Sequence, residues 1–588
     1  MKILSLHTDY IKFKPLKKAL KSVEELGESD KKEKVSKEAL VIMTAIEKVD
    51  TDVKAIIEKL VYEVKDIAGK VKATNIVLYP YAHLSSNLAS PDIATAVLNG
   101  AEAELKKDKN LSIIKAPFGY YKEFELKVKG HPLSELSREI NLVENTIKGE
   151  KGEKNERKVE SQIIRISDAA DPKQLLRQIT KSRLDTSKLK ENDHRILGQQ
   201  MDLYSFSDTA PGMVFFHNNG LIIYNELVNF WRDVHRKSGY QEISTPQILD
   251  KKLWLVSGHW QKYKDNIFLT NYENREFAVK PMNCPGGMLV YKSKPKSYKE
   301  LPLRVGELGI VHRQELSGVL AGLFRVIKFT QDDAHIFCTE EQTESEIISV
   351  MDLIGAMYKK LGVELDHVEL STRPEKRIGV DEVWDIAEKT LENVLKKKKM
   401  KYQINKGDGS FYGPKIDFHI KDSLGRTWQT ATIQLDFAMP ERFELEYTDK
   451  DGKIKRPVML HRVVYGSLER FMGVYLEHTN GRLPTWMAPI QVRIMNFTDR
   501  NDKYAHEVIK KIGEAIPNVR MDADLTQTTV PSKVKEAELM KVPYIIVVGD
   551  REEKEKTLAV RTRGDSKIKS VKIEDFIKGL KKEIEDRL

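Results

Sequence analysis

LPLRVGELGIVHRQELSG (residues 301–318) and, just downstream, LFRVIKFTQDDAHIF (residues 323–337) are the stretches from which the fold is read. In the second, Gln331 and Asp333 stand two residues apart in a strand-like run, which puts both on one face. The same kind of periodicity begins near Asp193 and runs to about Pro489, rich in aromatics and without a low-complexity break. This is a large central domain over residues 193–489.

Outside that block the pattern changes. From Ile490 it reads strand (IQVRIMNF), helix from about Asp502, strand near Val519, helix from Pro531, two strands (YIIVVGD and TLAVRTR) and a charged final helix. Alternating strands and helices predict a mostly parallel sheet covered by helices, a separate α/β domain over residues 490–588. At the other end, Ile3 to Leu6 reads as a buried strand. Val53, Ile56, Ile57, Leu60, Val61, Val64 and Ile67 recur at helical spacing, with Asp52 near the start and Gly69 at the end. NIVLYPY (residues 75–81) reads as a strand, Ser90 and Pro91 open a helix, and Phe124, Leu126 and Val128 alternate with polar residues in YKEFELKVKG. Together they predict a compact α/β domain over residues 1–147. GEKGEKNERKVE (residues 149–160) has almost no apolar residue and cannot bury enough surface to order itself, so residues 148–192 read as a charged linker.

A chain of 588 residues predicts about four domains at roughly 150 residues each. With 40% hydrophobic and 32% charged residues it is an ordinary globular mixture, which excludes disordered, collagenous and membrane classes. The 98 basic and 88 acidic residues leave +10, a modest surplus that suits a polyanionic partner and equally suits a solvated surface. Two cysteines, Cys284 and Cys338, are too few for a disulfide framework and point to a reducing, cytoplasmic setting. No stretch approaches the ~18 apolar residues of a membrane span.

Three segments of the central domain carry a metal-binding residue type: KPMNCPGGM with Cys284, FTQDDAHIF with His335 and VMLHRVVYGS with His461. Separations of 51 and 126 residues exclude a zinc finger or ribbon. Spacing alone leaves open a buried thiol with two hydrogen-bonded histidines.

The longer motifs carry a family resemblance. DHRILGQQMDLYSF, APGMVFFHNNG, STPQILDKKLWLVSGHW, NREFAVKPMNCPGG, LPLRVGELGIVHRQELSG, LFRVIKFTQDDAHIF, FYGPKIDFHIKD, IQLDFAMPERF and HRVVYGSLERFMG together resemble the threonyl-tRNA synthetases, class II aminoacyl-tRNA synthetases, from Asp193 to the C-terminus. The resemblance implies a multidomain α/β and α+β protein whose catalytic domain is built on an antiparallel sheet. It implies one zinc ion (Zn²⁺) per subunit on Cys284, His335 and His461, with an open position that the amine and hydroxyl of L-threonine fill and valine cannot. A site that must bind a hydroxyl rejects its absence by about 10⁴ or more, whereas an apolar pocket manages only about a hundredfold.

ATP, with Mg²⁺, is the second implied substrate. Arg313 matches the arginine that meets the α-phosphate and the amino-acid carboxylate, and Arg470 the one that packs over ATP, since a guanidinium forks onto phosphate and stacks on a purine. Arg325 resembles a further nucleotide-contacting arginine and Glu315 a residue on the adenine side. Asp333 would bind the ammonium of threonine. Gln331, Met282, Tyr412, Lys415, Gln429, Thr432 and Gln434 match residues lining the threonine and adenylate site. Gly287 stands where many relatives carry His, and Gln314 and Leu316 replace the Asn and Pro of the commoner motif.

HTDYIKFK, YPYAHLS and APFGYYKEFELKVKGHPLSELSR resemble the editing domain of archaeal-type threonyl-tRNA synthetases, itself similar to D-aminoacyl-tRNA deacylases. His83, Tyr121, Lys122 and Glu135 are the matched positions. Editing is physically expected, because serine also has a hydroxyl and a lost methyl is worth only ~1 to 3 kcal/mol. Residues 490–588 resemble the class IIa anticodon-binding domain, through VPYIIVVGDREE and LAVRTR, with Glu552 and Arg561 at positions matched to base readers. DLTQTTVPSKVKEA departs from the family's basic segment around Gln527. The resemblance thus implies a homodimeric threonine–tRNA ligase that binds tRNA(Thr). A non-catalytic, synthetase-derived binder of tRNA-like structures and a prolyl-tRNA synthetase are the alternatives; the first would not need all three metal-ligand candidates, and the second does not predict them.

Overall fold

The computed structural model describes residues 1–140 and 189–587, apart from positions 21, 22, 24, 29, 49, 51, 86, 132 and 566. The charged linker predicted over residues 148–192 lies almost entirely outside the described residues. Those described form two compact units, divided between residues 140 and 189.

The first unit is built on six strands, in the order Ser112–Lys115, Asn75–Pro80, Lys34–Ala45, Lys2–Lys18 and Tyr120–Val128, with Glu135–Glu139 also paired to Lys2–Lys18. The predicted Ile3–Leu6 strand is only the start of a 17-residue strand. Its register against Tyr120–Val128 shifts between Thr8 and Tyr10, and such a bulge breaks the alternation on which a reading by period depends. The Val53–Val71 helix begins where Asp52 accepts a hydrogen bond from the Ala55 N–H, and it ends past Gly69, at left-handed Lys72 (φ 57). Pro91–Leu105 starts at the Ser90 cap with proline in its first turn. Ile56, Leu60 and Val64 of one helix and Val97 and Leu98 of the other bury against Leu40, Ile42, Ile76 and Leu78 of the sheet.

The second unit is organised by an eight-stranded sheet in the order Gln403–Asn405, Glu364–Ser371, Lys415–Lys421, Thr427–Asp436, Val458–Val463, Lys328–Cys338, Leu303–His312 and Gln241–Glu242. All inner pairs are antiparallel, and only the two edge pairs are parallel. Helices Asn218–Lys237, Thr343–Leu361, Asp381–Lys397 and Leu468–Thr479 cover one face, where Trp231, Ile354, Leu391 and Phe471 join Ile336, Phe418, Ile433 and Leu460 in one core. Because side chains alternate, the other face receives Gln331, Asp333 and His335. Register then fixes a row across it: Val305, His335, His461, Gln434, Lys415 and Ser371 stand opposite one another on successive strands.

The same unit contains a five-stranded sheet in the order Met521–Asp524, Val492–Asn496, Tyr544–Val548, Thr557–Thr562 and Ile568–Lys572. In the sheet predicted as mostly parallel, the first three strands are parallel and Thr557–Thr562 runs antiparallel to both of its neighbours. Ile568–Lys572, with two lysines in five residues and mostly exposed, carries no apolar alternation to announce it. The predicted helices are Asp502–Ala515, Val530–Leu539 and Ile573–Glu585, with Asp550–Glu555 an additional short one.

Candidate functional site

Cys284 begins the Cys284–Lys292 helix, and the sheet register brings His335 and His461 side by side below it. All three are buried, and one ligand atom from each lies within 4.8 Å of the others. The His335 and His461 rings meet edge-on, 5.0 Å between centroids. His461 donates from Nε2 to Asp436 Oδ2 at 2.7 Å, leaving Nδ1 as a lone-pair donor, and Asp436 is itself held through Oδ1 by the Ala438 and Met439 N–H groups at 2.8 and 2.9 Å. Nε2 of His335 is buried and has no hydrogen-bond partner. Burial keeps His335 well below the usual imidazole range and pushes the Cys284 thiol well up, with Asp333 and Asp436 adding to the latter. A thiol, two imidazoles, an orphaned ring nitrogen and a carboxylate behind one histidine make a donor set that fits zinc.

Asp333 lies on the same face and accepts from Asn283 Nδ2 at 3.2 Å. That reach needs Gly309: a Cβ there would sit 2.1 Å from Asn283 Oδ1. Gln331 and Met282 are half-buried beside this group. Tyr412 packs on the His461 ring at 5.1 Å, and buried His259, in SGHW, places Nε2 4.0 Å from Cys284 Sγ.

Arg313 donates from Nε to the Pro281 carbonyl at 3.2 Å and lies over the Phe329 ring at 5.2 Å. Arg470 lies over Trp428 at 5.6 Å, and its buried Nε has no hydrogen-bond partner. Ser467 caps that helix by accepting from the Arg470 N–H at 3.2 Å. The preceding turn is anchored by buried Asp332, which accepts from the N–H groups of Val464, Tyr465 and Gly466. Glu315 and Arg325 are paired with each other at 2.9 Å.

Lys415, Gln429 and Thr432 converge on one buried carboxylate. Asp417 takes Lys415 Nζ and Ser371 Oγ on Oδ2, and Gln429 Nε2 (2.6 Å) and Thr432 Oγ1 (2.7 Å) on Oδ1. Gln434 instead donates to the Gly413 carbonyl at 3.0 Å. Asp417, Asp436, Asp332, Asn283 and His259 are the members that sequence reasoning missed. Asp417 and Asp436 sit inside quoted motifs, so strand alternation with Lys415 and Gln434 was the available signal.

In the first unit, His83, Tyr121 and Lys122 line a cavity of about 500 Å³ together with Tyr79, Tyr81 and Phe124. Lys122, on the Tyr120–Val128 strand, is half-buried. Its Nζ donates to the Pro117 and Tyr120 carbonyls at 2.9 and 3.0 Å, it lies over Tyr79, and burial lowers its pKa to about 8. Glu135 is not brought there: it is exposed, absent from the cavity lining and paired with Leu6, whereas Lys122 is paired with Pro15. Around the last sheet, Glu552 of the short Asp550–Glu555 helix accepts from the Gly549 N–H at 3.1 Å and Arg561 of the Thr557–Thr562 strand pairs with Glu538 at 3.0 Å, so each is engaged locally. Phe497, 64% exposed beside Gly549, is an aromatic surface that the sequence reading passed over.

Comparisons with known proteins follow this layout. Residues 1–140 match the Archaea-specific editing domain of threonyl-tRNA synthetase, residues 268–479 the tRNA synthetase class II core domain (G, H, P, S and T), and residues 491–583 the anticodon binding domain. The threonine–tRNA ligase of Desulforamulus reducens is 52% identical over 398 residues, and that of Clostridium tetani 52% over 399; each match covers 68% of this chain. The chain spans 62% of the length of both relatives. A crystal structure of the RNA binding domain of threonyl-tRNA synthetase from Cryptosporidium parvum Iowa II is 38% identical, with a TM-score of 0.64, over 66% of this chain and 98% of that one.

Proposed function

We propose, for a chain that belongs to the threonyl-tRNA synthetase family, that it activates L-threonine with ATP, transfers it to tRNA(Thr) and hydrolyses mischarged seryl-tRNA(Thr) in its first unit. The observation that carries this reading is the convergence of Cys284, His335 and His461 on the sheet face that also holds Asp333. Cys284, His335 and His461 would hold a zinc ion, which would supply Lewis-acid coordination for the amine and hydroxyl of threonine.

The chain's own residues do the rest. Asp333, held by Asn283, offers a carboxylate to an N–H of the substrate amino group. Arg313, fixed by the Pro281 carbonyl and Phe329, has its remaining N–H groups for the amino-acid carboxylate and the α-phosphate. The carboxylate oxygen attacks the α-phosphorus, the bond to the β-phosphate bridging oxygen breaks, and pyrophosphate leaves with Mg²⁺; Lys415 counters charge on that side, and Arg470 covers the nucleotide. A terminal ribose hydroxyl of tRNA then attacks the acyl carbonyl and AMP leaves. In the first unit Lys122, mostly protonated at neutral pH, orients the ester or the attacking water within a water-accessible cavity. Glu552, Arg561 and exposed Phe497 are read as anticodon contacts. A cytoplasmic homodimer is what the resemblance supports.

Threonine-dependent ATP–pyrophosphate exchange tests the proposal, run beside proline and serine. Exchange with proline but not threonine, or no exchange with any, would sink it.

A further inference from the structure

The outer end of the central sheet holds a second convergence of ligand atoms. His367 and His419 stand directly opposite each other on the antiparallel strands Glu364–Ser371 and Lys415–Lys421, and Glu369 follows His367 on the same face. One ligand atom from each of the three lies within 4.8 Å of the others. The two Nε2 atoms flank a single carboxylate, His367 Nε2 at 3.4 Å from Glu369 Oε1 and His419 Nε2 at 3.5 Å from Oε2. A register shift against the Thr427–Asp436 strand falls between Phe418 and His419, and a bulge of that kind re-aims a side chain.

The groups around these three hold them in ligating form. His367 donates from Nδ1 to Asp366 Oδ2 at 2.7 Å, which leaves the lone pair on Nε2, and Thr427 Oγ1 steadies Asp366 at 3.2 Å. Asn405 Nδ2 donates to Glu369 Oε2 at 3.0 Å. Nε2 of His419 is buried without a hydrogen-bond partner. A carboxylate behind one histidine and an amide behind the glutamate is the outer arrangement that metal ligands use. The cluster of Asp193, His194 and Glu477 shows what a purely structural group looks like: His194 Nδ1 meets Glu477 at 2.6 Å and its Nε2 accepts from the Leu323 N–H at 3.0 Å, so no lone pair is left for an ion.

We infer that His367, Glu369 and His419 form a second divalent-cation site, two strands beyond His461, taking a zinc-, cobalt- or nickel-class ion and clamping the Glu364–Ser371 strand to its neighbour. Two imidazoles and one carboxylate suit these ions, whereas magnesium and calcium prefer all-oxygen shells. The rings now stack 4.2 Å apart at 13°, and tilting them towards a shared ion is a side-chain rotation that a half-exposed site permits. Three protein ligands leave room for water.

The test strips the full chain with a chelator, titrates it with Zn²⁺ alone and counts bound metal by elemental analysis, with Co²⁺ absorption as a second probe. Two equivalents are expected, only one carrying a thiolate charge-transfer band. His367→Gln and His419→Gln should each lose the band-free equivalent and keep the other, which also reports that the variants are folded. A wild type that binds only the thiolate-linked equivalent overturns the inference, and so does a second equivalent that survives both substitutions, which marks an adventitious ion only. Loss of the second equivalent in His419→Gln while Cys284→Ser loses none supports this site and sinks only the zinc assignment at Cys284.

Discussion

Replacing Asp417 by Asn tests whether one carboxylate organises the phosphate side of the candidate site. Asp417 is 1% exposed and accepts from Ser371, Lys415, Gln429 and Thr432, two donors on each oxygen. Asparagine has the same shape but offers an NH₂ in place of one oxygen. Whichever way the amide turns, two donors then face a donor. A hydrogen bond to a charged group is worth about 1.5 to 3 kcal/mol, so losing two would remove about 3 to 6 kcal/mol if nothing relaxed. Lys415 retains Asp408 at 2.9 Å, which cuts the loss towards about 3 kcal/mol, on the order of a hundredfold in kcat/KM. Asp408, 57% exposed, is the control: a surface pair contributes at most about 1 kcal/mol, so Asp408→Asn should cost less than about fivefold. The assay is threonine-dependent ATP–pyrophosphate exchange, with zinc content measured alongside. An Asp417→Asn enzyme within about threefold of wild type, or an Asp408→Asn enzyme equally impaired, would refute the argument.

Cys284→Ser should lower zinc content and abolish threonine activation with the far-ultraviolet spectrum unchanged, because the thiolate is the strongest of the three ligands; elemental analysis beside the exchange assay checks it. Gly309→Ala should push Asn283 off Asp333 and raise the KM for threonine about tenfold, the worth of one hydrogen bond to a charged group; an unchanged KM counts against Asn283 as the positioning residue. Lys122→Ala should leave threonine activation near normal and let seryl-tRNA accumulate, read by charging with labelled serine; equally low seryl-tRNA in both enzymes removes Lys122 from editing. Lys122 also predicts a pH dependence of stability. Its folded pKa of about 8 lies below the ordinary lysine range, so between the two the unfolded chain holds more protons, and stability rises with pH through that window. Below about pH 8 both states are protonated and the cost of burying the charge is fully present. The denaturation midpoint of the wild type should therefore rise relative to that of Lys122→Met above about pH 8, and a pH-independent difference contradicts the burial.

Elements whose apolar residues face one core were readable from period alone. The helix over Val53–Val71 and the last helix, Ile573–Glu585, each show a single buried stripe that no neighbour disturbs. What escaped was set by partners distant in sequence. The strand over Lys2–Lys18 pairs with three others and bulges against one of them, so its pattern changes partway along. Ile568–Lys572 is an edge strand with four exposed positions out of five, and only the neighbouring Thr557–Thr562 makes it a strand at all.

The site was legible in the groups aimed at substrate and opaque in the groups that aim them. Cys284, His335 and Arg313 were legible through the motifs that carry them, since spacing alone left a buried thiol and hydrogen-bonded histidines open. Asp436, Asp417 and Asp332 look in sequence like any acidic residue, yet each is buried and accepts at least three hydrogen bonds. Burying a carboxylate is costly unless its oxygens are filled, so such a residue survives only where several donors need one position. At least one donor of each lies far along the chain: Asp436 meets His461, Asp332 meets Val464 to Gly466, and Asp417 meets Ser371. Strand alternation puts Asp417 on the face of Lys415 and Asp436 on that of Gln434, and the register of the sheet supplies the distant partners. Glu135 is the converse case: its motif match placed it with Lys122, and the pairing of its strand with Leu6 sets it elsewhere.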